Sequence, residues 1–312
     1  MGIVVVGSIA LDVLSTPKVK RKQVLGGSAI YASLSLSNFA PVKLVGIIGE
    51  DYPNEALELL RSRGIDLAGI EKMAGRTFAW EGEYGEDLAE AKTIDTQLNV
   101  FGTFSPKLPE EYRREEAVFL GNISPDLQAD VLSQMENPTL AAADTMNLWI
   151  NTQANALKAL LPKIHVFFVN EAEAKALTGE RKVLRAAHRL GERGPRLVVI
   201  KSGEHGAMAY DSRRGQSYWA PAFPAFEVVD PTGAGDSFAG GFLGILLQSG
   251  DPYEPLAVKK ALAAGNVMSS FALSALSIDG LAAIGASEVQ QRLQVLSEMM
   301  AHAPDAFAAR LA

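Results

Sequence analysis

A short run late in the chain combines two glycines with a carboxylate, a pattern suited to phosphate chemistry. Gly233 and Gly235 can adopt backbone conformations closed to other residues, so successive N–H groups can point at one spot. Residues 237–247 carry no charge and read as a buried helix, whose N-terminus would direct its positive dipole end at the same spot. Asp236 stands at the edge of this predicted anion hole, where a carboxylate would handle a proton or a metal. The alternative is a glycine-rich turn before a core helix, with Asp236 as its N-cap.

Spacing excludes two other phosphate-binding motifs. The sequence contains no G-x-x-x-x-G-K-[ST] run, so this is not a P-loop. A dinucleotide fingerprint would need glycine at the position of Phe238 and usually lies in the first β-α unit. A dinucleotide-dependent oxidoreductase is therefore disfavoured.

Residues 230–238 read Asp-Pro-Thr-Gly-Ala-Gly-Asp-Ser-Phe, which resembles the C-terminal signature of the ribokinase (PfkB) family of sugar and nucleoside kinases. The resemblance extends over about residues 3–281. It implies an ATP-dependent kinase in which Asp236 is the general base. The anion hole would be formed by the backbone of Gly233, Ala234, Gly235 and Asp236, with Thr232 on the ATP side.

Segments near the start of the chain resemble the acceptor-binding parts of this family. The stretch Gly-Ser-Ile-Ala-Leu-Asp ending at Asp12 matches a pattern in which the aspartate binds substrate hydroxyls, although Ala10 stands where asparagine is often found. Gly26 and Gly27 match a glycine pair that lets the backbone approach the substrate and hinges a lid. Tyr31 replaces a common asparagine and suggests a stacked ring at a different substrate edge. Without the resemblance, these residues also fit ordinary turns and caps.

Two further segments resemble the magnesium and nucleotide sites of the family. Asn170 and Glu173 match its N-x-x-E motif, and oxygen ligands acting through water suit Mg²⁺, which dehydrates reluctantly. The alternative is a helix start with Asn170 as N-cap. The residues that would line the ATP site are Lys201, Ser202, Gly203, Gly206 and, in the adenine pocket, Asn266. Lys201 would add charge near the phosphates, whereas His205 is expected to face solvent.

Three polar residues follow predicted strands, at the edge where ligands bind in open α/β sheets. They are Asn122, Asp144 and Asn147. Each also fits a turn. We take Asn122 as a further candidate for substrate binding.

Apolar runs that read as buried strands alternate with helical stretches along most of the chain. The predicted strands are residues 3–9, 43–48, 117–120, 139–143, 165–169 and 197–200, and the helices between the first of them are 29–39 and 55–63. This alternation predicts an α/β fold with a doubly wound, mostly parallel sheet flanked by helices, in one domain over residues 1–312.

Residues 77–84 and 91–101 instead alternate with a period of two, which is typical of antiparallel strands. One face of the first would carry Phe78, Trp80 and Tyr84. With residues 13–24 they would form a small antiparallel sheet, and the family resemblance implies that this sheet is a lid inserted at about 13–24 and 76–102. An ordinary surface hairpin is the alternative. We also expect the lid to be able to join two copies in a homodimer.

Composition limits the partners of the chain. A net charge of −7 without blocks of like charge argues against nucleic-acid binding. The absence of cysteine excludes disulfides and a thiol nucleophile and fits the cytoplasm. No stretch approaches the roughly 20 apolar residues of a membrane span, and the first apolar run lacks a basic leader, so neither a membrane anchor nor a signal peptide is expected. A small sugar or nucleoside is the expected partner.

Two alternatives to a sugar kinase stay open. Tyr31 and the aromatic face of the lid favour a nucleoside acceptor. A non-catalytic binding protein of the same fold is the other alternative, but loss of the base would then be expected, and Asp236 is present.

Overall fold

The computed structural model describes residues 2–86, 88 and 91–300, which form one large sheet between helices and a smaller sheet beside it. Residues 301–312 of the predicted domain, and part of the predicted lid segment 76–102, lie outside the described residues. With strands numbered in chain order, the large sheet contains β1 (Ile3–Val6), β4 (Val42–Ile48), β5 (Ile65–Lys72), β8 (Ala117–Leu120), β9 (Leu140–Ala143), β10 (Val166–Asn170), β11 (Leu197–Lys201), β12 (Ala207–Asp211) and β13 (Gln216–Ala220). The small sheet contains β2 (Ala10–Ser15), β3 (Lys22–Gly26), β6 (Ala79–Tyr84) and β7 (Ala91–Gln97).

The large sheet has the strand order β13-β12-β11-β10-β9-β8-β1-β4-β5. The pairings from β11 to β5 are parallel, and β12 and β13 are added antiparallel at one edge. The order reverses at β1, which is the arrangement whose strand ends leave a ligand crevice. The prediction of a doubly wound, mostly parallel sheet is confirmed. Strands β5, β12 and β13 were not among the predicted elements.

Helices cover both faces of the large sheet. They are α1 (Ser28–Leu36), α2 (Asn54–Ser62), α3 (Glu110–Arg113), α4 (Pro125–Gln134), α5 (Asn147–Thr152), α6 (Ala154–Leu160), α7 (Glu171–Thr178), α8 (Val183–Gly191), α9 (Ala234–Gln248), α10 (Pro255–Leu273), α11 (Asp279–Ala282) and α12 (Ala286–Met300). One apolar cluster lies under α1, α2 and α9 to α12, and a second lies under α3 to α8. Alternate residues of the central strands point into each, which explains why these strands read as continuous apolar runs. In the described part of the chain, no helix has the length and apolar character of a membrane span.

Aromatic packing fixes helix α9 against the middle of the sheet. The rings of Phe238 and Phe242 meet Phe168 of β10 edge-on, with centroids 6.3 and 5.5 Å away. Edge-to-face pairs of this kind are favourable beyond the area that they bury. The contact sets the depth and direction of the helix whose N-terminus carries the glycine motif.

The small sheet has the order β3-β2-β6-β7. Its two hairpins are antiparallel, as predicted, but β2 pairs with β6 in parallel. The predicted strand over 91–101 is too long, because residues Asn99–Thr103 form a 3₁₀ turn. Val100 is buried in the core of the large sheet, which draws the chain away from the small one.

Candidate active site

The carboxyl ends of three neighbouring strands place two charged side chains and one polar side chain near the start of α9. Asp144 follows β9, Asn170 ends β10 and Lys201 ends β11. The Lys201 ammonium donates to Asp144 Oδ2 over 2.7 Å, and both side chains are largely shielded, with 18% and 5% exposed. An ion pair at this position was not predicted, although Asp144 was named as a candidate for the crevice.

Helix α9 begins at Ala234, three residues earlier than predicted, with Gly233 as its N-cap. Gly233 has φ = 73°, and a Cβ atom there would lie 2.2 Å from the ring of Tyr31, so only glycine fits. Asp236 is therefore the third helical residue and not an N-cap. No other described residue accepts a hydrogen bond from the amides of Gly235 and Asp236, as expected for donors in the first turn of a helix.

Gly235 has a different physical role from the predicted one. Its φ is not positive, so unusual backbone geometry does not explain the glycine. A Cβ atom at this position would lie 3.0 Å from Lys201 Nζ. The missing side chain instead lets the Lys201 ammonium reach the amides of the helix start, which creates a concentrated positive region.

Asp236 lies half-buried in this region. Burial, together with the charge of Asp144, raises the pKa of Asp236 to about 7, while Lys201 opposes the shift. A carboxyl group with this pKa exchanges a proton readily at neutral pH, which is the property that a general base needs.

Asn170 and Glu173 form a capping box at the start of α7. The Glu173 amide donates to Asn170 Oδ1 over 2.8 Å, and the Asn170 amide donates to Glu173 Oε2 over 2.7 Å. Glu173 is buried, and burial and Asp144 raise its pKa to about 7 against the effect of Lys201. Asn170 is therefore the N-cap of α7, as the alternative interpretation of these two residues predicts.

The same residues fit a hydrated magnesium ion better than a directly bound one. Among the described residues, no three His, Cys, Asp or Glu side chains cluster closely enough to hold a metal. Asp144, Glu173 and Asp236 nevertheless all interact with the single cation Lys201. An excess of carboxylates that do not converge suits an ion that keeps most of its water.

Asp12 lies in β2, on the lid side of the crevice. It is 4% exposed, and its Oδ1 atom accepts a hydrogen bond from the Trp80 amide over 3.2 Å. Burial raises the pKa of Asp12 to about 7; the Trp80 amide opposes this shift, whereas Asp230 and Asp236 add to it. A Cβ atom at Gly26 would lie 2.0 Å from Asp12 Oδ2, so the glycine leaves room for this carboxyl group.

The other glycine of the pair, Gly27, forms the start of α1. It is the N-cap of that helix and has φ = 98°. A Cβ atom there would lie 2.3 Å from the backbone oxygen of Ser8, at the end of the first strand of the large sheet. The position thus demands glycine for the close crossing between lid and sheet.

One hydrogen bond within the loop before α9 and two to other segments hold this loop in place. Asp230 is fully buried and accepts from the amides of Thr232 and Ser277 over 2.9 and 2.8 Å. The Tyr84 hydroxyl of the lid lies 3.0 Å from Thr232 Oγ1. Sequence reasoning placed Tyr84 on the aromatic face of the lid but did not predict its contact with Thr232, and it gave Asp230 no role. The local Asp-x-Thr pattern is a signal for Asp230, because aspartate often accepts from the amide two residues ahead.

The turn after β11 contains the residues predicted for the nucleotide side. The Ser202 amide donates to the Gly206 oxygen over 2.8 Å and closes the turn, while Gly203 is exposed. Ser202 Oγ is buried without a partner among the described residues. His205 is 73% exposed in its side chain, so its predicted exposure to solvent is confirmed.

Two predicted contacts with the acceptor conflict with the geometry. Tyr31 is 1% exposed and lies beneath Gly233, so its ring supports the glycine turn and cannot stack on a substrate. Asn122 Oδ1 accepts from Trp149 Nε1 over 2.8 Å, and its amide nitrogen lies 3.0 Å from Met146 Sδ. The polar atoms of the Asn122 side chain therefore contact α5 and the residue just before it, and they do not face an acceptor.

Asn266, the residue predicted to contact adenine, also has another hydrogen-bond partner. Asn266 is buried in α10, and its amide nitrogen donates to the backbone oxygen of Ala220 over 3.2 Å. The bond joins α10 to the end of β13. Asn147, by contrast, is exposed at the first position of α5 and makes no contact with the charged cluster.

The family model, the relatives and the solved structure that resemble this chain are all of sugar or nucleoside kinases. Residues 3–278 match the family model described as pfkB family carbohydrate kinase. The cytidine kinase of Thermococcus kodakarensis is 32% identical over 247 residues, which cover 78% of this chain and 87% of the relative. The ribokinase of Haemophilus influenzae is 27% identical over 258 residues, covering 76% and 78%. In structure, the chain is similar to the nucleoside kinase of Methanocaldococcus jannaschii, with a TM-score of 0.76, 18% identity and coverage of 94% and 98%.

Proposed function

The chain belongs to the pfkB family of carbohydrate kinases, and we propose that it transfers the γ-phosphoryl group of ATP to a hydroxyl group of a sugar or nucleoside. The observation that carries the proposal is the first turn of α9, where the half-buried Asp236 lies beside free helix amides and Lys201. Retention of this carboxylate also argues against a non-catalytic binding protein of the same fold.

Asp236 would take the proton from the acceptor hydroxyl as its oxygen attacks the phosphorus atom. Phosphoryl transfer asks little covalent chemistry of the protein, so the base must mainly lie close to the hydroxyl and be ionised. Its pKa of about 7 leaves a large ionised fraction at neutral pH while keeping the carboxylate basic. The rigid first turn of α9 would fix its position.

The backbone amides from Gly233 to Asp236, through Ala234 and Gly235, would stabilise the charge on the transferred phosphoryl group. Donors fixed by the fold need no reorganisation during the reaction, so each stabilises the transition state more than a water molecule would. Lys201 would add a full positive charge at the same place, held there by Asp144.

The nucleotide would bind along the turn after β11 and the loop before α9. Its contacts would come from Lys201, Ser202, Gly203, Gly206 and Thr232, and the unpartnered Ser202 hydroxyl supports this placement. Asn170 and Glu173 would orient the waters of a magnesium ion. When bound, the ion would neutralise the charge of the ATP oxygens.

The acceptor would lie between Asp12 and Asp236, with the glycines Gly26 and Gly27 lining its entrance. The carboxylate of Asp12 can accept from two vicinal hydroxyls, which are charge-assisted hydrogen bonds. The similarity to a cytidine kinase supports a nucleoside as the acceptor, and the similarity to a ribokinase supports a sugar.

We further propose that the chain acts as a single domain in the cytoplasm, with the small sheet as its lid. A homodimer through the lid is supported by Ile94 and Leu98, which are 48% and 53% exposed on it. Neither nucleic acid nor a membrane has a place in this function.

A coupled assay for ADP release tests the proposed function. The protein would be mixed with ATP, Mg²⁺ and, one at a time, a panel of sugars and nucleosides. We expect one chemical group of acceptors to increase ADP release well above the rate without acceptor. Equal ADP release with every compound and without any would refute the proposal.

A further inference from the structure

The inner face of the lid carries residues of β2 and β6. In the parallel pairing of these strands, Leu14 lies opposite Gly82, so Asp12 and Leu14 point to the same side of the sheet as Trp80, Gly82 and Tyr84. Tyr84 reaches Thr232 in the loop before α9, and the Asp12 carboxyl interacts with Asp236. This side of the lid therefore faces the site of phosphoryl transfer.

The indole ring of Trp80 lies flat on this inner face. A Cβ atom at Gly82 would lie 2.1 Å from a carbon of the ring, so the ring covers the glycine and depends on its missing side chain. The indole Nε1 atom donates to Thr93 Oγ1 of β7 over 3.1 Å, which fixes the orientation of the ring. Trp80 is half-buried, and it belongs to neither hydrophobic cluster of the described residues. One face of the indole covers Gly82, and the residue as a whole stays partly exposed.

We propose that Trp80 is a stacking platform for an aromatic ring carried by the acceptor, which makes the acceptor a nucleoside and not a free sugar. This inference rests on the proposed kinase function. The backbone amide of Trp80 donates to Asp12, so the indole starts at the residue next to the carboxylate that would bind sugar hydroxyls. A nucleoside has its base attached directly to the sugar ring, so its two parts match these two neighbouring groups.

A structural role alone does not account for the arrangement. A tryptophan that only stabilised the lid would bury its ring against other apolar side chains, whereas this ring lies on a glycine and is held by a hydroxyl group. The glycine removes packing area from the lid and leaves a flat surface. Flat aromatic surfaces pair with bases through stacking, which tolerates any base because each has a π-face.

The first test compares acceptors in Trp80→Ala, Trp80→Phe and the unchanged protein, by kcat/KM with ATP. Trp80→Ala should lose roughly 5- to 100-fold with nucleosides, mainly through KM, because stacking on an aromatic side chain contributes that much per base. It should change the rate with free ribose little. Trp80→Phe should retain most activity, since phenylalanine also stacks. Thr93→Val should give a smaller, nucleoside-selective loss, because only the orientation of the indole is lost.

Lys92→Ala is the control for general damage to the lid. Lys92 lies in the same hairpin, is exposed and pairs with Glu83 on the opposite face of the sheet from Trp80. It should leave the preference for nucleosides unchanged. Equal losses with ribose and nucleosides in Trp80→Ala, or no loss at all, would overturn the inference.

A second test measures binding without catalysis. Tryptophan fluorescence would be followed while a nucleoside or ribose is added in the absence of ATP. We expect the nucleoside, and not ribose, to quench the unchanged protein, and the quench to disappear in Trp80→Phe. Quenching without ADP release would refute the kinase function and support the stacking site. ADP release with ribose and nucleosides alike, without quenching, would refute the stacking site and support the kinase function.

Discussion

The carboxyl edge of the large sheet and the inner face of the lid hold their polar groups in different ways. At the sheet edge, Asp144 pairs with Lys201, and Asn170 pairs with Glu173 of the first turn of α7. Asp144, Asn170 and Lys201 lie at the ends of strands whose other residues are buried. In the lid, β7 is exposed along nearly its whole length. Few bonds fix the inner face, chiefly those from the Trp80 amide to Asp12 and between Tyr84 and Thr232.

The difference suggests a division of work. The sheet edge and the first turn of α9 are fixed by buried strands and by backbone geometry, so they suit the step common to all acceptors. In the lid, β2 is mostly buried, but β7 has little burial, which is typical of segments that open and adapt. Substitutions at the sheet edge should therefore affect every acceptor, and those in the lid should affect some acceptors more than others.

The largest effect is expected from Asp236→Asn, which keeps the shape of the side chain and removes its ability to accept a proton. Because base catalysis typically contributes about 10²–10⁴-fold, kcat should fall by that factor with every acceptor while ATP binding persists. Steady-state kinetics with two acceptors and a nucleotide-binding titration measure both quantities. A decrease in kcat with only one acceptor would contradict the proposal that the sheet edge acts on every acceptor alike.

The pH dependence sharpens the same prediction. Asp236 must be ionised to act as a base and has a pKa of about 7, so kcat of the unchanged protein, measured at saturating acceptor so that ionisation of Asp12 does not limit binding, should rise as pH increases through that value. The residual kcat of Asp236→Asn should lack this rise. The same acidic limb in both proteins would assign it to another group.

Gly235→Val should cause the next largest loss. A Cβ atom added at Gly235 would lie only 3.0 Å from Lys201 Nζ, so the larger side chain of valine would displace the ammonium from the helix amides. We expect kcat to fall by about 10²–10³-fold, the usual cost of a lost charge-stabilising donor. Gly250→Val is the control, since a Cβ atom at Gly250 meets nothing within 4 Å. Circular dichroism should show both variants folded, and similar kinetics in the two would contradict the anion hole.

Asp12→Ala should produce a smaller loss, confined to the acceptor. Removal of a hydrogen bond to a charged group should lower kcat/KM by about ten- to a hundredfold and leave ATP affinity unchanged. Deoxy acceptors give the matched test, because removal of the contacted hydroxyl should harm the unchanged protein and add little in Asp12→Ala. Fully additive losses would mean that Asp12 does not contact that hydroxyl.

The smallest effect is expected from Tyr84→Phe, which removes the hydrogen bond between the lid and Thr232. One neutral hydrogen bond corresponds to about a two- to tenfold change, and it should appear mainly in KM for the acceptor because the lid closes less firmly. Initial rates at varied acceptor concentration measure it. A decrease in kcat as large as that of Asp236→Asn would place Tyr84 in the chemical step and would contradict the separate roles of the sheet edge and the lid.

Local patterns were enough to predict the fold, and together with the family resemblance they gave the prediction of the phosphate site. Parallel strands covered on both faces appear in the sequence as apolar runs, and their alternation with helices indicated the doubly wound sheet. Gly233 and Gly235, at the start of α9, lie within three residues of each other, so the anion hole could be predicted from one segment. Asp12 and Asp236 also lie next to such local motifs.

Contacts between distant segments could not be predicted in this way. The reason for Gly235 is the ammonium of Lys201, and the fate of Tyr31 is set by Gly233, which belongs to another helix start. Asn122 follows a strand as predicted, but its amide is engaged by Trp149 of α5. Each outcome depends on the packing of elements, which the periodicity of one segment does not contain.

The most direct test of the phosphotransfer claim is the balance between ADP and phosphorylated product, measured by ³¹P NMR with the best acceptor. We expect equal amounts of ADP and a phosphomonoester of the acceptor in the unchanged protein, and both lower by about 10²–10⁴-fold in Asp236→Asn over the same time. ADP accompanied by inorganic phosphate, with no phosphomonoester, would contradict the account, as would undiminished transfer in Asp236→Asn.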